Sequence, residues 1–336
     1  MKITEKEQKI LNEINNIIPD VFAINSIRAG NENEVHGVHF SISAENKDLS
    51  NSEYYYRGTS HFLHFTSLLA IQSIVTEKNI RLYNLNNLND PREYSFAGDL
   101  ITFNKEDKTN AKNNIFLLSM CQMELLNSTE TEFNMWRLYG ANGQGVAIEL
   151  NFEESPSQNW RDYFLSKVHY GSNSKTNLKE LNKLLKQLDK EKPKVSVDLG
   201  QIVCFHKSRL FGLEEETRLL FDGREFKPNE YKYATYRNKE GELISPFVKT
   251  DIYKSTTSNK EIKFLELPIY HTNFKKIYSE NSPIPIPKID RIILGYQYKE
   301  NFKKVAKALE DLCQQQLGYI PKIEKSHLTK YYHDIK

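Results

Sequence analysis

The predicted strands of this chain are short, and they alternate irregularly with its predicted helices. A doubly wound parallel sheet requires a regular succession of strand and helix, so this order favours an α+β fold. The clearest strand is a nearly continuous apolar run, IFLLSMC at 115–121, which is typical of a buried strand. Residues 30–60 are polar and rich in Asn and Ser, which predicts a loop or a weak strand. Apolar spacing predicts helices at 5–18, 68–75, 177–192 and 300–317, and strands at 62–65, 80–83, 115–121, 146–150, 201–206, 213–221 and 289–294.

The composition fits a folded protein without a membrane segment. Of the 336 residues, 39% are hydrophobic and 27% are charged, which is enough apolar side chain for a core. No run approaches the roughly 18 apolar residues that a membrane helix needs, and the first twenty residues carry too many charges for a secretory leader. Cys121, Cys204 and Cys313 lack metal-binding spacing, and the histidines form no zinc motif, so we expect reduced thiols, a cytoplasmic location and no metal.

The formal net charge of +2 conceals an asymmetry between two parts of the chain. Residues 1–150 contain 13 Lys and Arg against 19 Asp and Glu, a balance of −6, whereas residues 151–336 contain 33 against 25, a balance of +8. A basic C-terminal part is compatible with a polyanionic partner such as nucleic acid. Lys-rich helix faces in solvent are the plainer interpretation of the same charges.

The first candidate site is His64-Phe65-Thr66, at the end of a predicted strand. Residues two apart on a strand point to one face, so His64 and Thr66 offer a ring nitrogen and a hydroxyl side by side. That pair suits the hydroxyls and carboxamide of a nucleotide. The alternative is a half-buried histidine followed by a helix cap at Thr66 or Ser67.

The second candidate is the turn Asn89-Asp90-Pro91-Arg92-Glu93, which follows Arg81 and Tyr83. Charged residues clustered in a loop can border a phosphate-bearing ligand. Asn, Asp and Pro are also ordinary turn residues, so the segment can be a turn and nothing more.

The third candidate is MWRLYG at 135–140, followed by Gly143 and Gly145. Trp136 and Tyr139 with these glycines would let the backbone approach a flat ligand closely. The glycines precede a strand and not a helix, so this is no phosphate-binding fingerprint. Packing of both aromatic side chains in the core is an equally good interpretation.

The fourth candidate is EEETR at 214–218, on the predicted strand 213–221. On a strand, Glu214, Glu216 and Arg218 share one face. Paired carboxylates suit a reaction through an oxocarbenium-like cation, which negative charge stabilises. A solvated strand face, or a helical ion pair between Glu214 and Arg218, explains the pattern without chemistry.

Taken in order, these segments resemble domain-of-unknown-function family 2971, a bacterial family. Its members carry a strand ending in HYT, an NDPxE turn, an MWxxYG…GVxIxF block and a K…ExExR strand. Here the corresponding segments are HFT at 64–66, NDPRE at 89–93, MWRLYGANGQGVAIEL at 135–150, Lys207 with EEETR at 214–218, and the closing strand IDRIILGYQ at 289–297. The resemblance spans about residues 60–320.

That family is distantly similar to ADP-ribosyltransferases, which implies a split, mostly antiparallel sheet flanked by helices and clasping NAD. The resemblance implies that His64 and Thr66 hold the nicotinamide ribose, that Ser119 supports them, that Glu216 is catalytic and that Glu214 positions the acceptor. Tyr83, Trp136 and Tyr139 compete for the stacking position. The remaining residues expected to bind NAD are Arg81, Asn89, Asp90 and Arg218.

We therefore expect an N-terminal extension at 1–55 and a catalytic domain at 56–325, with insertions near 175–200 and 228–262 that contact a target or partner. The predicted function is NAD-dependent ADP-ribosyl transfer to nucleic acid or protein with release of nicotinamide, by an intracellular bacterial toxin or effector of the kind used in phage defence. An antitoxin protein would be a further partner. The alternatives are a non-enzymatic nucleotide- or nucleic-acid-binding module of the same fold, and an NAD glycohydrolase.

Overall fold

A computed structural model of the protein describes residues 5–29, 35–42, 49–88, 105–153, 155–160, 162–171, 178–188, 190, 194–224, 234–237, 243–254, 261–273 and 284–333. The helices are α1 (Glu5–Ile17), α2 (Leu68–Glu77), α3 (Lys105–Asn114), α4 (Thr129–Leu138), α5 (Leu178–Leu188), α6 (Phe302–Leu317) and α7 (Thr329–His333). The strands are β1 (Phe22–Ala29), β2 (Val35–Ile42), β3 (His61–Thr66), β4 (Asn79–Asn84), β5 (Ile115–Gln122), β6 (Val146–Asn151), β7 (Tyr163–Lys167), β8 (His169–Tyr170), β9 (Lys194–Val197), β10 (His206–Lys207), β11 (Glu216–Asp222), β12 (Ala234–Arg237), β13 (Leu243–Lys254), β14 (Glu261–Pro268), β15 (Lys288–Leu294) and β16 (Lys322–Lys325).

Most strands belong to one large sheet. Its order is β12-β13-β14-β4-β5-β3-β6-β15-β16, and β11 and β7 extend from β5. The pairing is antiparallel except between β15 and β16. Helices and a largely antiparallel sheet confirm the predicted α+β class.

The central strand β5 has different neighbours along its two edges. β11 pairs with one edge over almost its whole length. On the other edge, β4 pairs with Phe116 and Leu117, whereas β3 pairs with Cys121 and Gln122. β3 and β4 therefore diverge beside residues 118–120 of β5, and the sheet forks there.

A layer built from two distant chain segments covers part of one sheet face. β1, β2 and β9 form a separate sheet in which β2 and β9 run parallel. Apolar side chains of α1 and α5, such as Ile14 and Leu181, are buried in one cluster with Ile115 and Leu220 of the large sheet. The described parts of the predicted extension at 1–55 and of the predicted insertion near 175–200 thus form a single layer of the fold.

The opposite face of the large sheet packs against α2 and α6. Ile71 and Val75 of α2 and Leu309 of α6 are buried in the main core cluster. α2 begins where the sequence predicts a cap, because the Ser67 hydroxyl accepts a hydrogen bond of 3.1 Å from the backbone N–H of Ala70.

Two predicted spans differ from the structure. Residues Ile202–Phe205 form a 3₁₀ turn before β10 and not a strand, although all four side chains are buried. β11 begins at Glu216 and not at 213, because Glu215 has a left-handed backbone with φ of 44°. Within the segment 30–60, which was predicted as a loop or a weak strand, β2 is a strand that pairs with two others.

All three cysteines are free and buried, as a reduced protein requires. Among the described residues, no helix is both long and apolar enough to cross a membrane.

Candidate active site at the fork of the sheet

A cavity of about 530 Å³ lies at the fork between β3 and β4. The cavity lies between two buried apolar clusters on one face of the sheet. Leu117 of the first cluster lines one side of it, and Leu63 and Met135 of the second cluster line the other. The predicted site residues that line it are His64, Tyr83, Ser119, Tyr139, Glu214 and Glu216. The structure therefore brings together half of the predicted site from five separate parts of the chain.

His64 and Ser119 meet where the edge of β5 opens. Ser119 is exposed within a stretch of β5 that is otherwise buried, and its carbonyl oxygen accepts a 3.0 Å hydrogen bond from Nδ1 of His64. This bond places the proton of the neutral ring on Nδ1 and leaves Nε2 as its acceptor. Burial lowers the pKa of the His64 imidazole, and the hydrogen bond to Ser119 only partly opposes this. The ring is therefore neutral at pH 7.

Two carboxylates share one ammonium group at the other side of the cavity. Lys207 Nζ lies 2.7 Å from Oε2 of Glu214 and 2.5 Å from Oε2 of Glu216. All three side chains are more than nine-tenths buried. Glu214 ends a 3₁₀ turn and Glu216 begins β11, and the left-handed Glu215 between them lets both carboxylates face Lys207.

Arg218 holds Glu216 from the side away from the cavity. Its Nε lies 2.7 Å from Oε1 of Glu216 and its Nη2 lies 3.2 Å from Oε2, while Nη1 donates to the carbonyl oxygen of Cys204. Burial alone would raise the pKa of Glu216, but the charges of Arg218 and Lys207 outweigh it and lower the pKa to about 2. Glu216 is therefore a fixed negative charge at neutral pH.

Two tyrosines complete this acid–base cluster. The Tyr139 hydroxyl donates a hydrogen bond to Oε1 of Glu214, and burial together with that carboxylate raises the pKa of Tyr139. The Tyr170 hydroxyl accepts a 3.0 Å hydrogen bond from the backbone N–H of Glu216. Tyr139 thus orients the carboxylate of Glu214, and Tyr170 holds the backbone at Glu216.

Among the described residues of the predicted site, Thr66, Arg81, Trp136 and Arg218 do not line the cavity. Thr66 lies at the end of β3, and Arg81 pairs with Glu77 at 3.4 Å and lies over the ring of Phe264. Asn89 and Asp90, with the rest of the NDPRE turn, lie outside the described residues.

Trp136 is a core residue. Its side chain is fully buried, its ring meets Phe65 edge-on at 5.0 Å, and its Nε1 donates a 2.9 Å hydrogen bond to Glu132. Between the two interpretations of MWRLYG, the structure favours core packing for Trp136 and places Tyr139 in the cavity.

The glycines after MWRLYG pack against protein and not against a flat ligand. A Cβ at Gly145 would lie 2.5 Å from the carbonyl oxygen of Thr66, and one at Gly143, where φ is +81°, would lie 2.5 Å from the ring of Tyr296. The backbone N–H of Gly295 also donates to the carbonyl oxygen of Gly145 at 3.0 Å. The expected ligand approach is therefore wrong here.

Sequence reasoning missed the roles of Lys207 and Tyr170. Lys207 stands in the family motif seven residues before Glu214, but its contact with two carboxylates depends on packing. No signal in the sequence marks Tyr170, whose hydroxyl reaches the backbone N–H of Glu216 because the chain from β7 to β8 runs beside the start of β11.

One group of described residues has the donor atoms of a metal site. One ligand atom each of His61, Glu149 and Asp290 lies within 4.8 Å of the others. These side chains already form ion pairs, of His61 with Glu149 at 2.7 Å, of Arg291 with Glu149 at 2.7 Å and of Lys288 with Asp290 at 2.8 Å. The group is therefore a partly buried ion-pair network, and none of its residues lines the cavity.

Fold and cavity together define an α+β protein with a buried acid–base cluster at the fork of a largely antiparallel sheet. Residues 135–219 match the model of the family described as "Protein of unknown function (DUF2971)", which confirms the predicted family. The match includes the MWRLYG block, Lys207 and EEETR, whereas HFT and NDPRE lie before it. No curated protein and no solved structure matches the chain.

Proposed function

We propose that the protein is an NAD-dependent ADP-ribosyltransferase whose donor binds in the cavity at the fork. The observation that carries this proposal is the convergence of His64, Ser119, Tyr139, Glu214 and Glu216 on one cavity. Its volume of about 530 Å³ lies within the range of ligand pockets, about 300–1,000 Å³. The resemblance to ADP-ribosyltransferases names the same residues from the sequence.

The lining suits the nicotinamide riboside part of NAD. His64 and Ser119 provide polar groups beside the apolar Leu63 and Leu118, as a heteroaromatic ring with a carboxamide requires. Among the described lining residues, Lys207 is the only lysine or arginine, and it already contacts two carboxylates. Neutral donors would therefore have to hold the diphosphate in this part of the cavity.

The charge of Glu216 suits the dissociating bond of NAD. In the proposed reaction the bond from C1′ of the ribose to the nicotinamide nitrogen breaks, and its electron pair leaves with nicotinamide. The ribosyl cation that remains is stabilised by the ionised Glu216, which Arg218 and Lys207 hold in place. Preorganised charge of this kind costs no reorganisation during the reaction.

Glu216 is a poor proton acceptor, because its pKa is about 2. In the proposal the acceptor nucleophile attacks C1′ and loses its proton to Glu214, which is hydrogen-bonded to Tyr139 at the cavity. The products are nicotinamide, the ADP-ribosylated acceptor and a proton on Glu214 that solvent removes.

Such an activity would consume NAD and modify cell components, which suits a bacterial toxin or effector. The acceptor in this proposal is nucleic acid or protein, and an antitoxin would restrain the enzyme in its own cell.

The test uses NAD labelled in its adenylate part. We expect the wild type to release nicotinamide and to transfer label, and Glu216→Gln to lower the rate about 100-fold or more, the usual cost of removing a preorganised charge. His64→Gln tests the opposite wall of the cavity. Glu149→Gln is the matched control, because that carboxylate is also buried and ion-paired but does not line the cavity.

Each outcome has one meaning. The site would be refuted if Glu216→Gln and His64→Gln both transferred label like wild type while circular dichroism confirmed that they fold. Free ADP-ribose without a labelled acceptor would identify a glycohydrolase. NAD or nucleic acid that binds without being consumed would identify a binding module.

A further inference from the structure

A second cavity, of about 350 Å³, lies between α4 and α7 and is almost entirely apolar. We call it the aromatic groove and define it by Phe133, Tyr296, Tyr331 and Tyr332, with Glu130 at its edge. Tyr296 is buried at its centre, with its ring 5.6 Å from that of Phe133 and 5.2 Å from that of Tyr332. The rings of Phe133, Tyr296 and Tyr332 are therefore in continuous contact.

The outer rings of the groove are unusually exposed. Phe133 is 39% exposed, Tyr331 50% and Tyr332 38%. Among the Phe, Tyr and Trp side chains whose exposure the structure describes, Tyr83 and Tyr139 are the other exposed ones, and both line the first cavity. Exposed aromatic surface is thus concentrated at these two cavities.

α4 connects the aromatic groove to the first cavity. Phe133 faces the groove, while Leu138, at the end of the same helix, lines the cavity and is 64% exposed. Five residues along a helix correspond to an axial rise of about 8 Å and a rotation of about 140°. A chain molecule bound in the groove can therefore extend to the cavity by passing around the surface of one helix.

Positive groups lie beside the exposed rings. The guanidinium of Arg137 is 5.8 Å from the ring centre of Phe133, and Nζ of Lys330 is 4.7 Å from that of Tyr331. Glu130 is the one carboxylate among the described residues of the groove lining. Aromatic rings with neighbouring cations are the arrangement by which proteins bind single-stranded nucleic acid, because every base can stack and every phosphate is negative.

We infer that the aromatic groove binds single-stranded nucleic acid and directs it to the cavity at the fork. The bases stack on Tyr331, Tyr332 and Phe133, and Arg137 and Lys330 neutralise phosphates. This inference rests on the proposed function, in which the bound strand is the acceptor of ADP-ribose. A duplex has no unstacked bases to offer and binds less tightly.

The test measures binding of fluorescein-labelled 12-nucleotide single strands of RNA and DNA by anisotropy, with a duplex of the same sequence alongside. We expect Tyr331→Ala and Tyr332→Ala to weaken binding about 5- to 100-fold. Tyr331→Phe keeps the ring and should bind like wild type. Glu130→Gln should tighten binding, because it removes negative charge next to a polyanion. The two single strands distinguish RNA from DNA.

Several results would overturn the inference. They are the absence of binding, equal binding of the duplex, unchanged affinity in both tyrosine-to-alanine variants, or weaker binding by Glu130→Gln, which would indicate a cationic ligand. A peptide that competes with the strand and depends on the same tyrosines would indicate a protein partner instead.

Nicotinamide release, measured without acceptor, separates this inference from the proposed function. Tyr331→Ala should release nicotinamide like wild type. Strand binding that depends on Tyr331 without any consumption of NAD would refute the proposed function alone. NAD consumption that depends on Glu216, with strand binding unaffected by Tyr331→Ala, would refute the groove alone.

Discussion

Replacement of Arg218 by Met is the sharpest test of the acid–base cluster. Arg218 is 2% exposed and makes two contacts with Glu216 and one with the carbonyl oxygen of Cys204. Arg218→Met leaves Glu216 buried with Lys207, a cation that Glu214 already shares. The cluster then carries an uncompensated negative charge.

Removing one partner of a buried ion pair costs about 3–5 kcal/mol, most of it from the charge left behind. The free energy of unfolding of Arg218→Met should fall by this amount. In the double variant Arg218→Met with Glu216→Gln, both members of the pair are uncharged. We therefore expect the double variant to be less destabilised than the sum of the two single variants.

The depressed pKa of Glu216 predicts a pH dependence. A pKa of about 2, against an ordinary 4.5, contributes about 3 kcal/mol of stability. Because the folded-state pKa is lowered, this contribution is complete above about pH 4.5 and is lost as the pH falls towards 2. Wild type and Glu216→Gln should therefore differ more at pH 7 than at pH 3.

Urea unfolding followed by tryptophan fluorescence measures these differences, since Trp136 and Trp160 are both buried. Two results would refute this account of the buried ion pair. One is a free energy of unfolding of Arg218→Met within about 1 kcal/mol of the wild-type value, and the other is strict additivity of the two changes in the double variant.

Three further predictions concern other parts of the fold. Leu181→Ala should lower the free energy of unfolding in urea by about 2–5 kcal/mol, because Leu181 of α5 is buried in the core. If α5 served only to contact a partner, the same substitution would change this free energy little. Gly145→Ala should lower the melting temperature in a thermal scan, because its Cβ would lie 2.5 Å from a backbone carbonyl oxygen. Burial lowers the pKa of His61, but hydrogen bonds to Glu153 and Glu149 raise it overall. His61 therefore stabilises the fold fully below about pH 6.5 and loses that effect as the pH rises, so urea unfolding of His61→Gln should differ from wild type more at pH 5.5 than at pH 9.

The sequence predicted individual helices and strands better than it predicted which strands pair with each other. The apolar run at 115–121 and the cap at Ser67 identified β5 and α2 because burial pattern and capping are local properties. The fork could not be predicted, since it depends on which strands pair with β5. The apolar segment 201–206 has the length of a strand and the composition of a buried turn, and periodicity does not distinguish them.

For the candidate site, too, individual residues were predicted but the contacts between them were not. Short motifs named His64 and Glu216, the resemblance to ADP-ribosyltransferases added Ser119, and all three line one cavity. The contacts among them were not predictable, because the carbonyl oxygen of Ser119 binds His64 and because Lys207 reaches both carboxylates only after the chain has turned at Glu215. Trp136 carried the same local signal as Tyr139, and only packing separates their roles.

The position of β5 also bears on how the protein is made. One edge of β5 pairs with strands that precede it in the chain, and the other pairs with β11, about a hundred residues later. Contacts between such distant segments form late and slowly. On a ribosome, β5 would remain half-paired and the carboxylate wall of the cavity absent until β11 has emerged. If the proposed function holds, a nascent chain would lack its catalytic carboxylates until that point, and an antitoxin would have this interval in which to bind it.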